Sequence, residues 1–301
     1  MTLAIRTDGL TYRAGRHFEI RDLSLSIPEG AVYGFLGPNG SGKTTTIRLL
    51  LGLVRPLAGE IDVLGMRIPR DSARALARVG YVPERPHLYQ SLTVAESVRY
   101  HAAFYPSWNA KWARELGATF RLRGDARLST LSKGEMGKLM VLLALAQQPD
   151  LLVLDEPTDG LDPVVRRDML GGILEYVAER GATVFISSHL VHELERFCDW
   201  VGVMDGGRLV AEMRMQDFKG GIKRLRVRGA PARLTDPPFI VLKREQANGH
   251  GEEWIVRGWK APMQGYLERA GASVSEVEDL DLEEGFVEML RGARAPNAKE
   301  A

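Results

Sequence analysis

The chain has a single cysteine, Cys198, among 301 residues, so an internal disulfide framework is excluded and the usage fits a reducing compartment. Neither sign of charge prevails. Forty Lys and Arg face 39 Asp and Glu, and a net charge of +1 supplies no general field to draw the chain onto nucleic acid or anionic lipid. Long apolar runs are also missing: the longest spans residues 139–146, far short of the roughly 20 residues a membrane-spanning helix needs. If the protein works at a membrane, another chain must do the crossing. The N-terminus meets Arg6 and Asp8 before any apolar region develops, unlike a secretory signal. A cytoplasmic location is expected. No internal repeat is visible. The 45% hydrophobic and 26% charged residues are ordinary for a globular protein, and the length suggests about two domains.

Residues 3–27 alternate apolar and polar, with a turn expected at 12–16, and predict antiparallel strands at a sheet edge. A short apolar strand at 31–36 runs into a glycine-rich loop, followed by a Leu- and Ile-rich helix at 44–53. Residues 151–154 and 183–187 are continuous apolar runs bounded by charge, the pattern of buried parallel strands. Helical segments separate them, and ahead of both strands residues 73–146 keep a helical period and predict a helical insert. Beyond Phe218, glycines and prolines punctuate short strands expected at 223–227, 239–242 and 253–256, then a helix at 261–270, a strand at 272–277 and a helix at 282–291. A domain boundary is expected near residue 220. Residues 293–301 lack periodicity and are expected to fray.

The loop Gly37-Pro38-Asn39-Gly40-Ser41-Gly42-Lys43-Thr44 fits G-x-x-x-x-G-K-[ST] and lies between a predicted strand and a predicted helix. Glycines let backbone N–H groups turn inward around phosphate oxygens, and the helix N-terminus adds partial positive charge. Lys43 would reach the β- and γ-phosphates, and Thr44 would offer its hydroxyl to Mg²⁺. The strand at 151–154 ends in Asp155-Glu156, whose side chains diverge because successive strand residues point to opposite faces. Asp155 would hold Mg²⁺ through water, while Glu156 would orient or deprotonate the attacking water.

Together these motifs resemble the ATP-binding cassette (ABC) ATPases, in order, over about residues 3–212. Leu131-Ser132-Lys133-Gly134-Glu135 is similar to the family signature Leu-Ser-Gly-Gly-Gln, Gly160-Leu161-Asp162 to the D-loop, and His189 in Ser187-Ser188-His189 to the switch histidine. The resemblance implies an α/β fold: a P-loop core with a mixed sheet, an antiparallel edge subdomain and a helical insert at about 84–148, all within 1–220. A small C-terminal accessory α+β domain at 221–292 and a disordered tail at 293–301 would follow. It also implies that Asn39, Gly40, Ser41, Gly42, Lys43, Thr44 and Thr45 cradle ATP, with Tyr12 stacking on adenine. Ser132 and the Gly134 N–H would reach the γ-phosphate of ATP on an opposite subunit, and Asp162 would join that site. Glu156 and His189 would be catalytic. Ser132 with Glu135 also reads as a helix capping box, which would turn the hydroxyl inward.

Two departures stand out. Glu84 in Gly80-Tyr81-Val82-Pro83-Glu84 replaces the usual Gln; a carboxylate can still ligate Mg²⁺ but cannot donate as an amide does. The signature carries Lys133 and Glu135 in place of Gly and Gln. Such variants resemble the branch serving ABC-2-type exporters, and Phe104-Tyr105-Pro106-Ser107-Trp108 resembles its YtrB-like subgroup. The implied function is an ATP-hydrolysing subunit that forms a homodimer, or pairs with a paralogous ABC subunit, around two ATP·Mg²⁺. It would power a separate integral membrane permease, for export, from the cytoplasmic face, with no nucleic-acid partner. Phe104, Tyr105, Trp108 and Trp112 would either line the permease groove or pack in the core. Alternatives are a soluble ABC protein acting on DNA or ribosomes and a regulatory ATP-binding module. His189 and His192 lack a placed third ligand for a zinc site.

Overall fold

In the computed structural model, residues 2–15, 18–231, 233–247 and 251–294 are described. Strand β1 (Leu3–Ala14) pairs antiparallel with β2 (Phe18–Leu23) and with β3 (Ser26–Pro28). It therefore continues through the 12–14 part of the expected turn; Arg16 lies outside the described residues. After β4 (Val32–Leu36) and α1 (Lys43–Leu50), strands β5 (Ala58–Val63) and β6 (Met66–Ile68) return to β1 and complete a sheet ordered β2-β1-β5-β6. Helix α1 stops short of the expected Leu53 because Gly52 turns the chain left-handed at φ +68°.

The stretch 73–146 is not wholly helical. Helix α2 (Ser72–Leu76) gives way to β7 (Val79–Val82) before α3 (Val94–Ala102), α4 (Ala110–Thr119) and α5 (Lys133–Ala146). Four strand residues are too few to interrupt a helical period in sequence. The fold needs them because a Cβ on Gly80 would lie 3.0 Å from both the Ala144 carbonyl and Pro149, so α5 closes directly on this strand.

Strands β8 (Leu151–Asp155), β9 (Thr183–Ser188), β10 (Trp200–Asp205) and β11 (Arg208–Arg214), with α6 (Pro163–Arg180) and α7 (Val191–Leu194) between them, complete the second sheet. Its order is β11-β10-β4-β9-β8-β7, parallel throughout except for the β10–β11 hairpin. Alternation along its strands fills two cores. Tyr33, Phe35, Val153 and Phe185 face the antiparallel sheet and α1. Val32, Leu36, Leu152, Leu154, Val184 and Ile186 face α5 and α6. Helix α5 begins with an exposed first turn bearing Lys133 and Glu135, and its second half, residues 139–146, is apolar all round, as the enclosed part of a helix must be.

Beyond α8 (Met215–Gly221), strands β12 (Ile222–Arg228), β13 (Ile240–Ala247), β14 (Gly251–Arg257) and β15 (Ser273–Asp279) form an antiparallel sheet ordered β13-β14-β12-β15. Helix α9 (Gln264–Arg269) helps close a small core around Trp254 and Trp259. Helix α10 (Leu282–Arg294) includes Ala293 and Arg294, so the expected tail begins no earlier than 295; residues 295–301 lie outside the described residues.

Candidate functional site: a phosphate cradle with two acids

The loop from β4 into α1 lies at the C-terminal end of the parallel strands, where open α/β sheets place their ligands. Gly40 and Gly42 take φ of +79° and +116°, conformations closed to most side chains. A Cβ on Gly37 would sit 2.4 Å from the Met204 carbonyl oxygen, and one on Gly42 would sit 2.8 Å from the Phe18 ring. Glycine is therefore required by β10 and β2 on either side as well as by the turn itself. Lys43, 5% exposed, donates to the carbonyls of Gly37 (2.7 Å) and Pro38 (3.3 Å). It also forms an ion pair with Glu156 Oε1 at 3.0 Å.

Of the two acids, Asp155 closes β8 and Glu156 lies just beyond it, out of the pleat, and the two carboxylates meet different partners. Asp155 Oδ1 accepts from Thr44 Oγ1 (3.1 Å) and from Ser187 Oγ (2.8 Å), while its buried Oδ2 has no hydrogen-bond partner. Burial pushes the Asp155 carboxyl above the usual carboxylate range, against the pull of the Ser187 and Thr44 hydroxyls. A buried acceptor with a free oxygen beside a threonine hydroxyl suits a hard cation, so Mg²⁺ fits the donors present here. Glu156 is held left-handed at φ +47°; its N–H donates to Ser187 Oγ (3.0 Å) and its Oε2 meets His189 Nδ1 at 2.9 Å. A left-handed non-glycine residue persists only where its surroundings over-determine it.

Asn39, Gly40, Gly42, Lys43, Thr44, Thr45, Glu84, Glu156 and His189 line one open cleft of about 370 Å³ together with Phe18 and Asp159. Ser41 supports the cleft from beneath, buried and with its N–H on the Pro38 carbonyl. Glu84 comes from the loop after β7 and lies 3.8 Å from Arg85. Tyr12 does not line the cleft; it packs against the core between the two sheets, whereas Phe18, which sequence reasoning passed over, forms the cleft wall. The only sequence signal for Phe18 was an aromatic opening β2.

Ser132, Gly134 and Asp162 lie outside the cleft. Ser132 caps α5 in a complete capping box, its hydroxyl donating to Glu135 Oε2 (2.8 Å) and accepting from the Glu135 N–H (3.2 Å). Asp162 caps α6, accepting from the N–H groups of Val164 and Val165 at 3.0 Å each. Lys133 pairs with Asp159 of the same chain at 3.2 Å. The aromatic cluster divides: Trp108 and Trp112 pack against the core, while Phe104 stays 63% exposed in a group with Tyr100 and Tyr89, centroids 5.1 and 5.6 Å apart.

A parallel sheet that delivers a lysine-bearing phosphate loop, a hydroxyl–carboxylate pair for a cation and a second carboxylate beside a histidine defines a P-loop nucleoside-triphosphate hydrolase. The family described as "ABC transporter" matches residues 20–159. The chain is 36% identical over 222 residues to the uncharacterized ABC transporter ATP-binding protein YcbN of Bacillus subtilis (strain 168), covering 73% of this chain and 72% of that one. It is 35% identical over 221 residues, with the same shares covered, to the bacitracin transport ATP-binding protein BcrA of Bacillus licheniformis. A solved ATP-binding subunit of an ABC transporter superposes at a TM-score of 0.65 with 32% identity, over 72% of this chain and 92% of that chain. The chain belongs to the ABC transporter ATP-binding proteins, a family whose members bind and hydrolyse ATP.

Proposed function

We propose that the chain is the motor subunit of a transporter: two copies, or one copy and a paralogue, close head to tail around two ATP·Mg²⁺ and drive a separate membrane permease. The observation that carries this reading is the division of the motifs. The phosphate cradle, Asp155, Glu156 and His189 share one cleft, whereas Ser132 and Gly134 sit outside it at the start of another helix. An opposite subunit would supply the latter to the γ-phosphate. ATP would then favour the closed pair, because only that state offers the second set of contacts.

Bound Mg²⁺, held by Thr44, Asp155 and Glu84, would neutralise phosphate charge as it develops. Lys43 would leave Glu156 for the phosphates, and backbone N–H groups of residues 39–45 would cradle them. Glu156, freed from that ion pair, would orient the attacking water and take its proton, with His189 beside it. Adenine would lie against Phe18, with Tyr12 supporting it from the core that both rings pack against. Residues 1–220 would form the ATPase unit, with a helical part at about 84–148, and the residues from 221 to the end of α10 at Arg294 an accessory domain. The exposed Tyr89, Tyr100 and Phe104 group suits a permease contact on the cytoplasmic side. No described helix is long and apolar enough to cross a membrane. Export is the direction suggested by resemblance to the ABC-2-type, YtrB-like branch.

ATP turnover of the wild-type chain beside Glu156→Gln, each run on a sizing column in Mg²⁺·ATP, tests the reading. Loss of a general base lowers the rate by about 10²- to 10⁴-fold, and the slowed variant should accumulate as an ATP-dependent dimer. Undiminished turnover in Glu156→Gln would remove Glu156 from the mechanism.

A further inference from the structure

Four residues past His189, on α7, Glu193 carries a carboxylate that is only 2% exposed. Its Oε2 accepts from Thr158 Oγ1 at 2.6 Å, and its Oε1 lies 2.6 Å from the Arg166 guanidinium on α6. Arg166 in turn donates to the Leu161 carbonyl at 3.3 Å. One buried carboxylate thus grips the segment following Glu156 at Thr158 and, through Arg166, at Leu161. A buried charge is costly unless paired, and its two partners both belong to the catalytic turn and the helix it leads into.

That turn is internally tight. The Asp159 N–H donates to the Glu156 carbonyl and the Leu161 N–H to the Thr158 carbonyl, at 3.2 Å each. Fixing Thr158, itself only 3% exposed, therefore fixes the backbone two residues from Glu156. Glu156 needs such an anchor. Its left-handed backbone is uphill for a non-glycine residue, and one of its carboxylate's two partners, Lys43, is the group the phosphates would claim.

We propose that Glu193 is a positioning residue for ATP hydrolysis: by holding Thr158 and Arg166 it keeps the Glu156 turn in register with the loop that bears His189. The proposal rests on the reading of Glu156 as the base. Glu193 does not line the cleft and touches no reacting atom. It joins the loops of both candidate catalytic groups, because α7 begins two residues after His189.

The test uses the full chain and four variants: Thr158→Val, which keeps shape and removes the hydroxyl; Thr158→Ser, which keeps the hydroxyl; Glu193→Gln; and the double variant Thr158→Val/Glu193→Gln. Displacement of a catalytic group by about 1 Å can slow a reaction by about 10²-fold. Thr158→Val should therefore lose about 10- to 100-fold in kcat, with KM for ATP and affinity for a non-hydrolysable ATP analogue nearly unchanged. Thr158→Ser should recover most of the rate. The double variant should be no slower than the slower single one, as expected when two residues act through one contact. Full turnover in Thr158→Val overturns the proposal. So does a fall in analogue affinity equal to the fall in kcat, which marks general structural support. Glu156→Gln in the same assay separates the two claims. If it hydrolyses at the full rate, the Glu156 assignment falls and takes this proposal with it; if it is inactive beside an unimpaired Thr158→Val, this proposal falls alone.

Discussion

The single thiol shows how far environment sets a residue's chemistry. Cys198 is 7% exposed and sits under β4, where a Cβ on Gly34 would approach its Sγ to 3.1 Å. Burial, with a smaller contribution from the neighbouring Asp199, pushes its thiol well above the ordinary range. The nucleophile is the thiolate, so a group both buried and protonated is inert. A thiol-reactive chromogenic disulfide should leave Cys198 untouched in native buffer at neutral pH and titrate one equivalent in denaturant; fast native labelling would place the side chain elsewhere. The same logic governs the site. Asp155 and Glu156 are adjacent in sequence, yet one faces Thr44 and Ser187 while the other faces Lys43 and His189. What the sequence left illegible at this scale is contact made at long range. Phe18 gave no more signal than any aromatic in a strand, and Glu193 gave none, because its partners Thr158 and Arg166 lie 35 and 27 residues away in sequence.

Elements were legible where their ends carry their own chemistry. The strand–loop–helix around Lys43 and the acid-terminated strand β8 could be read because the glycines, the lysine and the carboxylates act locally. Helix α6 is bounded just as plainly, by Asp162 at its N-cap, Pro163 in its first turn and Gly181 at φ +65° beyond its end. Strands β5, β6 and β7 were not foreseen, because strands this short exist through their partners: Ile61 opposite Ile68, and Val79–Val82 in parallel register with Leu151–Leu154. A cap can be tested separately from the chemistry. Asp162→Ala removes an acceptor shared by two N–H groups and should lower stability by about 1 kcal/mol, read as a shift of the urea midpoint. Asp162→Asn keeps a side-chain oxygen in place and should lie close to wild type. Equal losses in both variants would mean that the charge matters more than the cap.

At the scale of the whole molecule, the break suggested near residue 220 is bridged by packing. Helix α10 lies against β13, but also against α7 and β11 of the preceding sheet system. Phe286, Met289 and Leu290 belong to the same buried cluster as Val191 and Leu194 of α7 and Leu154 and Ile186 of the central sheet. At its end Arg294 grips Asp205 through two hydrogen bonds, at 2.6 and 2.8 Å. Trp254 and its neighbours form a separate core on the far face of the C-terminal sheet, so the C-terminal segment has an interior of its own and a second apolar face it shares. Sharing of that kind couples unfolding. Phe286→Ala, at a site 7% exposed, should destabilise by about 3 kcal/mol or more. Amide hydrogen exchange in the intact chain will show where the loss is felt. Protection should fall together in β12–β15 and in β8 and β9, because a cooperative unit opens as one. Loss confined to residues 222–294 would mean instead that the accessory segment opens alone, and that its grip on α7 is too weak to carry strain toward His189 and Glu193.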